Sequence, residues 1–127
     1  MNKRIIIIAS LFGILAVILG AFGAHGLKEL LSPAQLDTWH TAVQYHFYHT
    51  LALLFLATFS RFRSRSINAA SWFFTFGILF FSGSLYLLSA RDLLSFQLSF
   101  LGPVTPIGGA LFILGWMSLL VAAVKNK

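Results

Sequence analysis

The chain has 127 residues, of which 58% are hydrophobic and only 9% charged, with a mean hydropathy of +0.87. Soluble domains carry about 25% charged residues, so the composition excludes an ordinary soluble fold and points to one helical domain in a membrane. The net charge of +6 sits mostly in gaps between apolar runs, which reads as topology signal rather than nucleic-acid affinity, and the absence of Cys rules out thiolate metal sites, disulfides and thiol catalysis.

The first apolar run covers residues 5–24, behind Lys3 and Arg4. Ala21-Phe22-Gly23 has the small-x-small pattern of a signal cleavage site. A stretch of about 20 apolar residues is nevertheless longer than a signal core, so it is expected to remain as a span. Ala9, Gly13, Ala16, Gly20 and Ala24 recur at three- or four-residue intervals on one helix face. Small residues at that spacing let helices approach closely, and packing within the same bundle is expected rather than a dimer seam.

A polar break from His25 to Leu31 follows. Ser32-Pro33-Ala34-Gln35 then reads as a helix start, with Ser32 as N-cap, Pro33 at the first helical position and Gln35 completing a capping box. A helix over 33–60 would be roughly 42 Å long at about 1.5 Å per residue. That exceeds the hydrocarbon layer of about 30 Å, so the first turns, with Asp37 and His40, should project from it. The membrane part is expected at about 41–60. Trp39, Tyr45 and Tyr48 fit an interfacial aromatic belt.

Arg61-Phe62-Arg63-Ser64-Arg65 is the densest basic cluster. Binding to anionic lipid is one use for it, but its topological role already accounts for it. A third span is expected at about 69–88, rich in Phe and carrying Ser82, Ser84 and Tyr86 late in its course. Arg91-Asp92 reads as solvated charge at a helix end. Leu93 to Leu101 alternates apolar Phe96, Leu98 and Phe100 with polar residues and reads as an interfacial loop. Gly102-Pro103-Val104-Thr105-Pro106 breaks the chain, and a fourth span is expected at about 107–124.

The N-terminus, second loop and C-terminus hold Lys3, Arg4, Arg61, Arg63, Arg65, Lys125 and Lys127, whereas the first and third loops hold only Lys28 and Arg91. The positive-inside rule therefore puts both termini in the cytoplasm, which an even number of spans satisfies. His25, Gln44, His46, His49, Ser82, Ser84, Tyr86, Arg91 and Thr105 then collect on the outer side. His46 and His49 are three apart and share a broad helix face. With the apolar core of span two centred near Leu51, His49 lies roughly 3 Å and His46 about 7 Å from the midplane at about 1.5 Å per residue. Ionisable groups at that depth are costly and are kept facing a bundle interior or a cavity.

Three uses for these histidines stay open. One is structural, a neutral imidazole bonding to a neighbouring helix. A second is a small-molecule or proton site for a quinone or lipid head group, built from His46, His49, Tyr86 and Arg91. The third is metal or haem ligation by His25, His46 and His49, although no acidic residue lies within the spans and no H-E-x-x-H pattern is present. The chain has no phosphate-binding glycine loop, nucleophile elbow or carboxylate pair, so hydrolase and transferase chemistry has little to stand on.

Gly20-Ala21-Phe22-Gly23-Ala24-His25-Gly26-Leu27, Trp39-His40-Thr41-Ala42-Val43-Gln44-Tyr45-His46 with His49, Phe81-Ser82-Gly83-Ser84-Leu85-Tyr86, and Gly102-Pro103-Val104-Thr105-Pro106-Ile107-Gly108-Gly109 with Gly115-Trp116 occur in that order. Together they resemble the family called domain of unknown function 423, the YgdD/YwdK-like small membrane proteins. The resemblance implies a small four-helix protein of the bacterial inner membrane, with a mitochondrial relative in animals. It implies no particular activity and carries over motif positions only, Pro106 among them.

The expectation is thus an all-α polytopic bundle of four transmembrane helices. A polar pocket lined from all four spans should open toward the outer face. The leading function is binding of a small ligand, lipid or quinone by the nine outer-side residues named above. The alternatives are a structural or assembly subunit and a His-ligated metal or haem protein. Membrane lipids are the expected surroundings, nucleic acid is not an expected partner, and homo-oligomerisation suits a bundle too small to enclose a large pathway. The sequence names no cofactor.

Overall fold

Ser32 opens the second helix as its neighbours dictate: its Oγ accepts from Gln35 N at 3.2 Å while Gln35 Oε1 accepts from Ser32 N at 2.9 Å. This reciprocal capping box satisfies two backbone donors that a helix start otherwise leaves unpaired. The structure is a computed structural model and describes residues 2–59, 64–95 and 97–125. Arg61, Arg63, Phe96 and Lys127, used above for topology and loop pattern, lie outside the described residues.

The helices are α1 (Lys3–Ala24), α2 (Pro33–Thr58), α3 (Arg65–Ser89) and α4 (Val104–Lys125), and no strand occurs among the described residues. Between α3 and α4 lie short 3-10 turns at Arg91–Leu93 and Ser99–Leu101, the second of them inside the stretch expected as a loop. The helices run alternately up and down. At one end Asn2 N donates to Ala57 O at 3.1 Å, and Arg4 donates to Asn68 Oδ1 at 2.8 Å and lies 4.7 Å from the Trp72 ring centre. At the other end Leu27, Leu31 and Trp39 pack with Tyr86 and Ala90.

Among the described residues, α1, α3 and the stretch Ser99–Lys125 ending in α4 are long and apolar enough to cross a membrane. Helix α2 has 26 residues but falls outside that class. The reason is its polar upper half, from Asp37 through His49. The bundle answers that polarity locally: His46, His49 and Thr50 are all buried.

The small residues of α1 pack on α2. Ala9 and Ala16 are buried, and a Cβ on Gly20 or Gly23 would meet Val43 or Trp39. The large side chains of α1, such as Leu11, Ile14 and Ile18, stay exposed. Glycines also bring α3 and α4 together: Gly108 sits on the Phe81 backbone, Gly77 on the Phe112 ring and Gly115 on the Phe74 ring, each with no room for a Cβ.

Helix α3 is not regular along its length. Ile78–Ser82 is a π-helical turn, closed by Gly83 N donating to Ile78 O. The wider turn re-aims the residues that follow it. Ser82 and Tyr86 turn to α2, while Ser84 turns to α4.

Candidate functional site

Trp39, His46, Ser82 and Ser84 are each held by a different neighbour. Trp39 Nε1–H donates to Leu19 O at 2.9 Å, fixing α2 to α1, and its ring lies 4.7 Å from that of Tyr86. One and a half to two turns further down, His46 is only 3% exposed. Its Nδ1 shares a hydrogen bond of 2.9 Å with the Tyr86 hydroxyl, and the Phe12 ring meets it edge-on at 5.7 Å. Its Nε2 is buried without a hydrogen bond. Ser82 is fully buried and donates to Ala42 O at 2.8 Å, and Ser84 Oγ lies 2.6 Å from Thr105 Oγ1.

His49 faces elsewhere. Its Nδ1–H donates to Tyr45 O at 2.7 Å, and its Nε2 accepts from Trp116 Nε1–H at 3.1 Å. That pair of bonds fixes a neutral tautomer, because one ring nitrogen must donate and the other accept. The ring stacks on Phe112 with centroids 3.5 Å apart and planes 6° from parallel.

His46 and Tyr86 close on each other while His49 turns to Phe112 and Trp116, so among the described residues the three do not face one common space between spans two and three. Residues three apart differ by about 60° around a helix of 3.6 residues per turn. In a tight bundle that is enough to aim His46 at α1 and α3 while His49 aims at α4. His25, Gln44 and Arg91 are exposed and apart from these contacts. Arg91 borders a surface depression of about 470 Å³ with Leu88, Asp92 and Gln97, and Asp92 accepts from Gln35 Nε2 at 2.7 Å. No three His, Asp or Glu side chains among the described residues are grouped to hold a metal ion, so His25, His46 and His49 do not form one site.

The structure supplies a different concavity. A groove of about 760 Å³ lies between α2 and α4, with Phe81 of α3 at its edge. Tyr45, Tyr48 and His49 form one wall, and Gly109, Phe112 and Trp116 are prominent on the other. No Lys, Arg, Asp or Glu lines it. Of the expected site residues only His49 belongs to it; helix α1 contributes nothing. Tyr45 and Tyr48 are read from sequence as belt residues. The missed signal is the matching pattern across the gap: Phe112 and Trp116, four apart, stand beyond the small pair Gly109-Ala110.

Comparison with known proteins places these features in a family. A family model described as "Protein of unknown function (DUF423)" matches residues 19–109. The chain is 46% identical over 125 residues to the UPF0382 membrane protein YwdK of Bacillus subtilis, covering 97% of this chain and 98% of that one. It is 46% identical over 123 residues to a UPF0382 membrane protein of Staphylococcus epidermidis, covering 97% of each. A UPF0382 membrane protein of Staphylococcus saprophyticus is 44% identical over 123 residues, covering 97% of this chain and 98% of that one. No solved structure gives a significant match.

Proposed function

The chain belongs to the DUF423 family of membrane proteins, and on that premise we propose that it binds a neutral, membrane-soluble amphiphile in the groove between α2 and α4. In this reading all four helices cross the bacterial plasma membrane and both termini are cytoplasmic. Lys3, Arg4, Arg65 and Lys125 mark the inner end of the bundle, and Glu29, Asp37 and Asp92 the opposite end. Helix α2 crosses despite its polarity because its deepest polar side chains are bonded inside the bundle. The groove then opens to lipid in the outer half.

One observation carries the reading: a concavity of about 760 Å³, rich in aromatic rings and free of charged side chains. Small-molecule sites are of this size and character, with a few polar groups fixing orientation. A bare structural role explains the packed His46 and His49 but not a groove left open beside them.

The test fills the groove. A Cβ on Gly109 meets nothing closer than Phe81 at 3.8 Å, so Gly109→Leu starts its side chain without a clash and projects it into the space, with Gly109→Ala as the folding control. The neutral-lipid fraction of the native membrane should raise the Tm of the purified wild type by several degrees, since ligand at a hundred times Kd contributes about 2.7 kcal/mol. Gly109→Leu should show no such rise. Equal rises in both proteins would remove the groove from the function.

A further inference from the structure

Resting on that reading, we infer that the head of the ligand is a flat neutral ring bearing carbonyl oxygens, of the quinone class, and that the Tyr45 and Tyr48 hydroxyls donate to those oxygens. Three properties of the groove select this chemistry.

The first is shape. The wall is ring-rich: the exposed Tyr45, Tyr48 and Trp116 rings line it, Tyr45 with its ring centre 4.8 Å from that of Phe81, over the buried His49–Phe112 stack. Aromatic faces and edges gain most from another ring, by about 0.5–1.5 kcal/mol beyond area burial. A saturated acyl chain takes only the generic contact.

The second is charge. With no cationic side chain in the lining, a phosphate head drawn into the groove would be desolvated without a partner. A neutral head group meets no such penalty.

The third is hydrogen bonding. The Trp116 indole N–H is spent on His49, and the His49 imidazole N–H is spent on Tyr45 O. The Tyr45 and Tyr48 hydroxyls make no hydrogen bond among the described residues, although both residues line the groove. Their rings lie 5.9 Å apart, edge to face. In the proposed topology Tyr48, three residues from Leu51, has its Cα about 4.5 Å from the midplane at about 1.5 Å per residue, so its ring starts within the hydrocarbon layer. Two unspent phenolic donors beside an aromatic floor call for a ligand that brings acceptors to that depth. Carbonyl oxygens on a ring do so, whereas the ester groups of a phospholipid stay at the interface.

The experiment uses the full chain in detergent, titrated with a decyl-substituted dimethoxy-methyl-para-benzoquinone while tryptophan fluorescence is read; Trp116 lies in the groove wall. Decylbenzene, which has the ring and tail without the carbonyls, serves as competitor. We expect saturable quenching in the wild type. The Tyr45→Phe/Tyr48→Phe double variant, which keeps both rings, should bind the quinone about tenfold more weakly, as loss of two hydrogen bonds implies. Decylbenzene should displace the quinone only at roughly tenfold higher concentration. An unchanged affinity in the double variant, or displacement by decylbenzene at equal concentration, would overturn the quinone assignment and leave an apolar groove standing. Unsaturable quenching, or wild-type affinity in Gly109→Leu, would overturn the groove reading as well.

Discussion

His49 ties α2 to α4 through three contacts on one ring. It donates to its own helix, accepts from Trp116 and stacks on Phe112, and it is 4% exposed. Removing the ring in His49→Ala leaves a void beside Phe112 and an unpaired indole N–H, and the expected loss is about 2–4 kcal/mol of stability. His49→Phe keeps the stack and should lose only about 1 kcal/mol. Chemical denaturation in detergent measures both, and equal losses would mean that the hydrogen bonds rather than the packing hold the site. The His46–Tyr86 bond makes a smaller claim. Hydrogen bonds between membrane helices average about 0.6 kcal/mol, so a cycle of His46→Phe, Tyr86→Phe and their double variant should show coupling of that order. Strict additivity would deny the bond. The sequence announces that these residues are held inside the bundle, because exposure to lipid is so costly. It cannot announce which neighbour holds each. That depends on rotations of a few tens of degrees, set by the π turn in α3 and by where Gly108 lets α4 approach.

At the scale of elements, glycine positions decide how close α3 and α4 come. A Cβ on Gly108 would collide with the Phe81 backbone, which cannot swing aside as a side chain can. Gly108→Ala should therefore destabilise the bundle by about 1–3 kcal/mol through overpacking. Gly83, with nothing within 4 Å of a Cβ, gives the opposite expectation. Gly83→Ala should be neutral or gain up to about 1 kcal/mol from helix propensity. Thermal midpoints of the two variants measured side by side decide this, and a reversed order would refute the crossing described for α3 and α4. The helix count, the capping box at Ser32 and the internal use of the α1 small-residue stripe were all legible, since each rests on local pattern. The π turn was not. It ends on Ser82, whose hydroxyl donates to the Ala42 carbonyl of α2, and nothing local in Ile78-Leu79-Phe80-Phe81-Ser82 requires it.

For the molecule as a whole, charge and polarity divide between the ends. Among the described residues, Lys3, Arg4, Arg65 and Lys125 gather at the end that holds the N-terminus, against Lys28 and Arg91 at the other, where the three acidic residues also lie. Such a distribution orients a bundle in the membrane. Reporter domains fused to each terminus should both report the cytoplasm, and a periplasmic signal from either would invert or break the four-span topology. The groove follows from this whole-molecule arrangement. Its walls come from helices far apart in sequence, which is why aromatic residues read singly as belt or packing did not disclose it. The most direct test of the groove as a binding site is mass spectrometry of organic extracts from gently purified wild type and Gly109→Leu. A phosphate-free neutral compound near one per chain is expected in the wild type, and its loss in the variant. Phospholipid alone, in equal amounts in both, would contradict this.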